Sequence, residues 1–106
     1  MTKQEALQEQ IDDIMDTFEF EDVHNWMKHD GWAWGTGNGN EMEVPDLYEI
    51  KRCARQRLKE AAAHGFSSTG GFTAERHEGK DENGPWVMLD LHFGYHTHND
   101  GTSYTE

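Results

Sequence analysis

The chain has 106 residues and sets 21 Asp and Glu against nine Lys and Arg, a formal net charge of −12 with neutral histidines. That charge excludes sequence-independent binding to DNA, RNA or anionic membrane surfaces, whose phosphates would be repelled, and it permits imitation of nucleic acid. With a mean hydropathy of −0.98, one domain over 1–106 with a small core is expected, and oligomerisation would help to stabilise it. Cys53 is the lone cysteine, so no internal disulfide forms. No apolar run approaches the roughly 18 residues of a spanning helix, and no charged-then-apolar leader opens the chain. A protein of the cytoplasm is the expectation.

In chain order, Thr2 and Glu5 form a capping box for a first helix running to Met15. Leu7, Ile11 and Ile14 follow at spacings of four and three and share one stripe, which leaves Gln, Glu and Asp on the solvated back. Thr17 can cap a second helix over 19–29, with Phe20, Val23 and either Trp26 or Met27 inward and Gly31 as its stop. Through residue 30 nine acids face only Lys3 and Lys28. Such a run is either a plain solvated face or a DNA-like surface. Trp32 and Trp34 alternate about Ala33, so in a strand both indoles point the same way, either over the helices or as a platform for a base. TGNGN over 36–40 is loop by composition.

Asp46 with Glu49 starts a third helix and Gly65 closes it. At 100° per residue Leu47, Ile50, Ala54, Leu58 and Ala61 fall on the core face. Tyr48, Arg52, Arg55 and Lys59 fall in a second arc, about 60° wide by the same geometry. Five of the nine basic residues (Lys51, Arg52, Arg55, Arg57, Lys59) lie in this one stretch. The arc serves either an anionic ligand or salt bridges to the acids of the first two helices. Cys53 reads as packing. The following Ser67-Ser68-Thr69-Gly70-Gly71 offers hydroxyl and backbone donors that an anion could use, although it is also what a plain helix-to-strand loop would contain. It lacks the GK[ST] ending of a phosphate-binding P-loop. Segments 66–77 and 85–97 read as a hairpin about the Asp81-Glu82-Asn83-Gly84 turn. In the second strand Val87, Leu89, Leu91, Phe93 and Tyr95 alternate with polar residues. The tail, 98–106, is polar and expected to be loose.

Two other patterns carry less. His96-Thr97-His98-Asn99-Asp100 resembles part of the metallo-β-lactamase zinc motif, and His92 can join from the same strand. The final His of that motif is Gly101 here, and the chain is too short for that fold. Surface histidines are therefore expected rather than a metal site. Ser67, Ser68, His64 and His77 are close in sequence, but no G-x-S-x-G elbow is present and no catalytic role is expected.

The stretch IDDIMDTFEFEDVHNWMKHDGWAW, then VPDLYEIKRCARQRLKEAA and STGGF, resembles a widespread family of small bacteriophage proteins. The shared features are the I-D-D-I-M-D opening, the W-x-W pair, the V-P-x helix rich in Arg and Lys, and the T-G-G-F strand start. The likeness covers about residues 11 to 93 and leaves the HTHNDGTSYTE tail outside it. Through it the chain looks like the phage sponge proteins that sequester cyclic nucleotide signals of bacterial immunity. Those are small, oligomeric and non-catalytic.

The resulting expectation is an α+β fold, three helices on one face of a small antiparallel sheet, with 32–34 as a candidate edge strand. The function expected is a phage counter-defence protein in the host cytoplasm that holds a cyclic dinucleotide or related nucleotide without cleaving it. It would act as a homo-oligomer with pockets between subunits and without a cofactor. Arg52, Arg55 and Lys59 would meet phosphates, Ser68, Thr69, Gly70 and Gly71 would donate hydrogen bonds, and Tyr48, Trp32 or Trp34 would stack a base. The rival is a DNA mimic that blocks a nucleic-acid-binding host protein through the acidic first thirty residues.

Overall fold

A computed structural model describes residues 1–30, 34–35, 42–94, 96–98 and 101–105, without the side chains of Asp30, Trp34, Gly35, Met42, Glu43 and His98. The fold is α+β, three helices and a five-stranded antiparallel sheet. Helix α1 (Lys3–Thr17) opens with the expected capping box: the Glu5 amide donates to Thr2 Oγ1 at 3.2 Å, and the Thr2 amide donates to Glu5 Oε1 at 3.0 Å. Those bonds hold the Glu5 carboxyl below the usual range. Helix α2 (Phe20–Asp30) follows after two residues. Thr17 is not its cap: it ends α1, and its hydroxyl donates back to Asp13 O at 2.8 Å. On α2, Met27 is the buried residue and Trp26 is 43% exposed. The expected stop at Gly31 and the 36–40 loop lie outside the described residues.

Strands β1 (Trp34–Gly35) and β2 (Met42–Glu43) pair with each other as a separate two-stranded sheet, so Trp34 of the candidate edge strand over 32–34 does not join the main one, and residues 32–33 lie outside the described residues. Helix α3 (Leu47–His64) starts on Asp46, whose carboxylate accepts from the Glu49 amide at 2.8 Å, and ends at Gly65 in the left-handed region, φ 98°.

The sheet departs from a plain hairpin at both ends. The segment expected as one strand is two, β3 (Phe66–Thr69) and β4 (Phe72–Asp81), folded back at Gly70 and Gly71, φ 66° and 91°. Two consecutive positive-φ residues make a primed two-residue hairpin turn, a conformation open to Gly-Gly and costly for most other pairs. Strand β5 (Gly84–Phe93) pairs with Thr73 to Asp81 of β4 through the expected turn. It stops at Gly94, φ 60°, and does not run on to 97. Strands β6 (His96–His98) and β7 (Gly101–Ser103) then line the far edge of β5, β6 on Leu91–Phe93 and β7 on Trp86–Met88. The tail is thus part of the sheet and not loose. Beyond it Tyr104 packs on the core, and the Thr105 amide donates to Met1 O at 2.7 Å.

All three helices cover one face of this sheet. Ala6, Leu7, Ile11 and Ile14 of α1 and Phe20, Val23 and Met27 of α2 bury against Ile50, Ala54, Leu58 and Ala61 of α3. Below them lie Phe72, Ala74, Val87, Leu89, Leu91 and Phe93. Two polar residues are buried, Ser67 of β3 and Gln10 of α1. Gln10, assigned by composition to the solvated back of α1, is buried and donates from Nε2 to Val87 O at 2.7 Å, while its Oε1 accepts from the Leu89 amide at 2.6 Å. Leu89 falls between the stretches that β7 and β6 pair, so the Gln10 amide takes the place of a missing neighbouring strand. No helix among the described residues is long and apolar enough to cross a membrane.

Candidate functional site

Helix α3 presents three faces. Its apolar face, with Leu47 half-buried at the start, enters the core. A second flank lies along β3: Cys53 Sγ is 3.5 Å from Thr69 O, and Ser67 Oγ donates to Glu60 Oε2 at 2.6 Å. Arg57 belongs to this flank, 3.6 Å from Glu60 Oε1 with 13% of its side chain exposed. Hydrogen bonds from Gln56 and Ser67, aided by Arg57, hold the Glu60 carboxyl below the usual range. Burial pushes the Cys53 thiol up against the pull of Arg57, which suits packing and leaves little thiolate for chemistry.

The third flank is the cationic arc. Tyr48 is 70% exposed, and Arg52, Arg55 and Lys59 are all exposed. None of the three makes an ion pair with a described residue; Lys3, Arg57 and Arg76 do, with Glu78, Glu60 and Glu78 respectively. The acids at the corner of α1 and α2 (Asp16, Glu19, Glu21 and Asp22) line a groove with Lys51, between the core face and the arc. The internal salt bridging that sequence left open is therefore not made by the arc among the described residues.

The structure separates the arc from the hydroxyl loop. β3 runs along the Cys53–Glu60 flank, whereas Lys59 turns toward α1. Two hydroxyls of the loop already have partners. Ser68 Oγ and Thr73 Oγ1 share a hydrogen bond of 2.9 Å, and Thr69 Oγ1 donates to Ser68 O at 2.6 Å. Gly70 and Gly71 make the turn, and Gly71 backs onto the Phe93 ring. Ser68, Thr69, Gly70 and Gly71 thus serve strand pairing, and no geometry brings them to the arc. Trp32 lies outside the described residues, as does the side chain of Trp34.

Beside the arc lies a feature that helix patterning did not single out. Gln4, Leu7, Gln8 and Ile11 of α1 and Lys59, Ala62 and Ala63 of α3 line a groove of about 220 Å³. Its floor is aliphatic, its rim carries two amides and one ammonium, and it holds no carboxylate. Gln8 Nε2 donates to Asp12 Oδ1 at 3.0 Å, which leaves its carbonyl oxygen and second N–H for other partners. The clue available in sequence was the pair of glutamines four apart, Gln4 and Gln8, on a back otherwise rich in acids.

His92 and His96 do not converge, and the side chain of His98 lies outside the described residues. His92 points to the outer face of the sheet beside Asp90, Nδ1 to Oδ1 3.8 Å. His96, paired with Phe93, points inward, its ring 6.4 Å from that of Phe18 and its Nδ1 3.7 Å from Glu19. The turn at Gly94 puts the two on opposite faces, so His92 cannot join a site with His96. Among the described residues no three His, Cys, Asp or Glu are placed to hold a metal ion. Scans against protein-family models, curated proteins and solved structures return no match, so the chain's own geometry carries the functional reading.

Proposed function

We propose that this protein is a non-catalytic binder that sequesters a cyclic dinucleotide or related phosphate-bearing nucleotide on the exposed flank of α3. The observation that carries the reading is the unpaired arc: in a chain of net charge −12, Arg52, Arg55 and Lys59 stay exposed and form no ion pair with a described residue. Guanidinium groups meet phosphate oxygens in forked pairs, and Lys supplies a point charge. Tyr48, at the N-terminal end of the same stripe, offers a ring face to a base. The groove beside Lys59 adds an aliphatic floor and two amides, which suit a base edge. Ser68 to Gly71 drop out of the ligand set, and Gln4 and Gln8 enter it. The wider role, phage counter-defence in the host cytoplasm, rests on the resemblance carried by IDDIMD, WAW and STGGF.

The test is a thermal-shift panel of cyclic di- and trinucleotides. A ligand at a hundredfold excess over its Kd stabilises the folded state by about 2.7 kcal/mol. At least one member should raise Tm, and Arg55→Glu should remove that shift while leaving the unliganded Tm unchanged. No shift across the panel overturns the reading.

One observation favours a second reading. Glu5, Glu9, Asp12 and Asp16 of α1, Glu19 before α2, and Glu21 and Asp22 of α2 are all exposed, and no described lysine or arginine forms an ion pair with them. Such a surface suits a basic, nucleic-acid-binding partner. Co-purification of that partner, lost on charge reversal of α1 and kept in Arg55→Glu, would favour the mimic over the nucleotide binder.

A further inference from the structure

The face of the main sheet turned away from the helices has no covering element among the described residues. The strand registers fix what it presents. Across the middle runs the row Phe66–Glu75–Asp90. His92, opposite Thr73, lies on one side of that row, and His77, opposite Met88, on the other. Beyond His77 comes Gly79 opposite Trp86. Phe66 is 58% exposed.

Three observations make this face unlike an ordinary solvated one. Glu75 and Asp90 sit directly opposite each other, where like charges destabilise a sheet, and what relieves them in the chain is loose. His77 Nε2 lies 3.5 Å from Glu75 and 3.9 Å from Asp90, and His92 Nδ1 3.8 Å from Asp90. Those separations exceed hydrogen-bond length, and Asp90 Oδ1 is buried with no partner. Next, Trp86 lies flat across Gly79: a Cβ at Gly79 would stand 2.6 Å from Trp86 Cε2 and closer still to Cζ2. The absent side chain leaves a flat indole on the face, with Met88 beside it. Last, no Lys or Arg points outward from this face in any of the five strands.

We propose that this face is the dimer interface of the protein, covered by the same face of a second copy. Strands β4 and β5 have ten residues each, β3 four, and β6 and β7 three each, which at about 3.4 Å per residue and about 4.8 Å between strands gives a footprint of roughly 490 Å². Two copies would bury about 1,000 Å², at the lower bound for a biological interface. The charge pattern is self-complementary in the way a two-fold interface requires. Acids form one row and imidazoles lie on both sides of it. A two-fold axis running across the strands, beside the Glu75–Asp90 row, sets carboxylates of one copy over imidazoles of the other. Aromatic and Met side chains, the residues that dominate interface energetics, flank that row. The α3 arc lies on the opposite side of the molecule, so a dimer exposes two arcs and leaves both free.

The experiment is sedimentation velocity on the full chain between about 1 and 100 µM, with Phe66→Lys and Met88→Lys as interface variants and Arg55→Glu as a control on the other side. Both interface residues point away from the core, and unchanged circular dichroism and Tm will show that the variants fold. Wild type should sediment as a dimer with Kd below 10 µM, each Lys variant should weaken that at least tenfold, and Arg55→Glu should not. A wild type monomeric at 100 µM overturns the proposal. A dimer that folded Phe66→Lys and Met88→Lys leave intact overturns it equally, because the contact would then lie elsewhere. Neither outcome bears on nucleotide binding, which the thermal-shift panel reads separately.

Discussion

Gly71→Ala separates the two readings of the Thr69-Gly70-Gly71-Phe72 stretch, a donor loop for an anion or a turn. Two costs arise in the turn. The φ of 91° forces a Cβ-bearing residue into the left-handed half of the map, at about 1–2 kcal/mol. The new Cβ would also stand 3.0 Å from Phe93 Cδ2 and closer to Cε2, so the ring has to move. It packs at 5.0 Å from Phe72 and 5.7 Å from Trp26, measured between ring centroids. A cavity of about 120 Å³, lined by Val23, Trp26, Phe93, Gly94 and His96, gives it somewhere to go. The packing cost therefore falls at the low end of overpacking, about 1 kcal/mol. Together the loss is about 2–3 kcal/mol, roughly a 15 °C fall in Tm for a domain of this size. Gly70→Asn is the control, because Asn suits the first position of such a turn and should cost no more than about 0.5 kcal/mol. Urea denaturation followed by tryptophan fluorescence measures both. Equal and small losses in the two variants would refute the turn geometry. Loss of nucleotide binding in a stable Gly70→Asn would return the loop to the site.

Further expectations concern the core, the acid limb and the arc. Gln10→Leu strands the Leu89 N–H and the Val87 carbonyl in the interior, at about 3 kcal/mol for two buried groups without partners, readable as a lower urea midpoint at unchanged m-value. Glu60 has a folded pKa below its ordinary 4.5, so its contribution is present above that value and lost as pH falls through the folded one. Glu60→Gln should therefore flatten the loss of stability below about pH 4.5, and an acid limb identical to wild type would remove Glu60 from it. Replacing Arg52, Arg55 and Lys59 together by Gln should leave Tm within about 2 °C, since no ion pair with a described residue is lost. A larger fall would mean that the arc is structural.

What sequence shows and hides here follows from range. The helix starts at Thr2 and Asp46, the stop at Gly65 and the inward stripe of α3 are local patterns, and the structure contains them all. The alternation of β5 is equally local and holds from Val87 to Phe93. The strand breaks at Gly70-Gly71 and Gly94 were also written in glycine, but a glycine inside an apolar run reads as easily as a strand residue as a turn. The tail was misjudged because β7 is polar and short. It is stabilised by pairing to Trp86–Met88, and no periodicity in the tail reports a partner so far back in the chain. Gln10 was missed for the same reason: its partners, Val87 and Leu89, are 77 and 79 residues away. Of the candidate site, the residues sharing one helix face were legible together. The joining of that face to the following loop was not, because the direction in which β3 leaves α3 is set by tertiary packing.

That direction decides where a ligand can lie. Had β3 left α3 on the arc side, Ser68 and Thr69 would have met Arg52 and Lys59. It leaves on the flank of Cys53, Arg57 and Glu60, and there it uses up its own hydroxyls. Of the arc, Lys59 faces α1, where Gln4, Leu7, Gln8 and Ile11 line the groove with it, while Arg52 lines a pocket with Glu49, Cys53, Gln56 and Arg57. Other carboxylates are engaged elsewhere: those at the α1–α2 corner gather about Lys51, and Glu60 is held by Ser67 and Gln56. Three exposed cations without an ion pair to a described residue, one of them beside a carboxylate-free groove, raise the local potential where the rest of the surface lowers it. An anion that reaches the arc must cross that repulsive surround, so binding there should weaken with salt only as far as local contacts require. The long-range field, unfavourable at −12, should be screened in the ligand's favour.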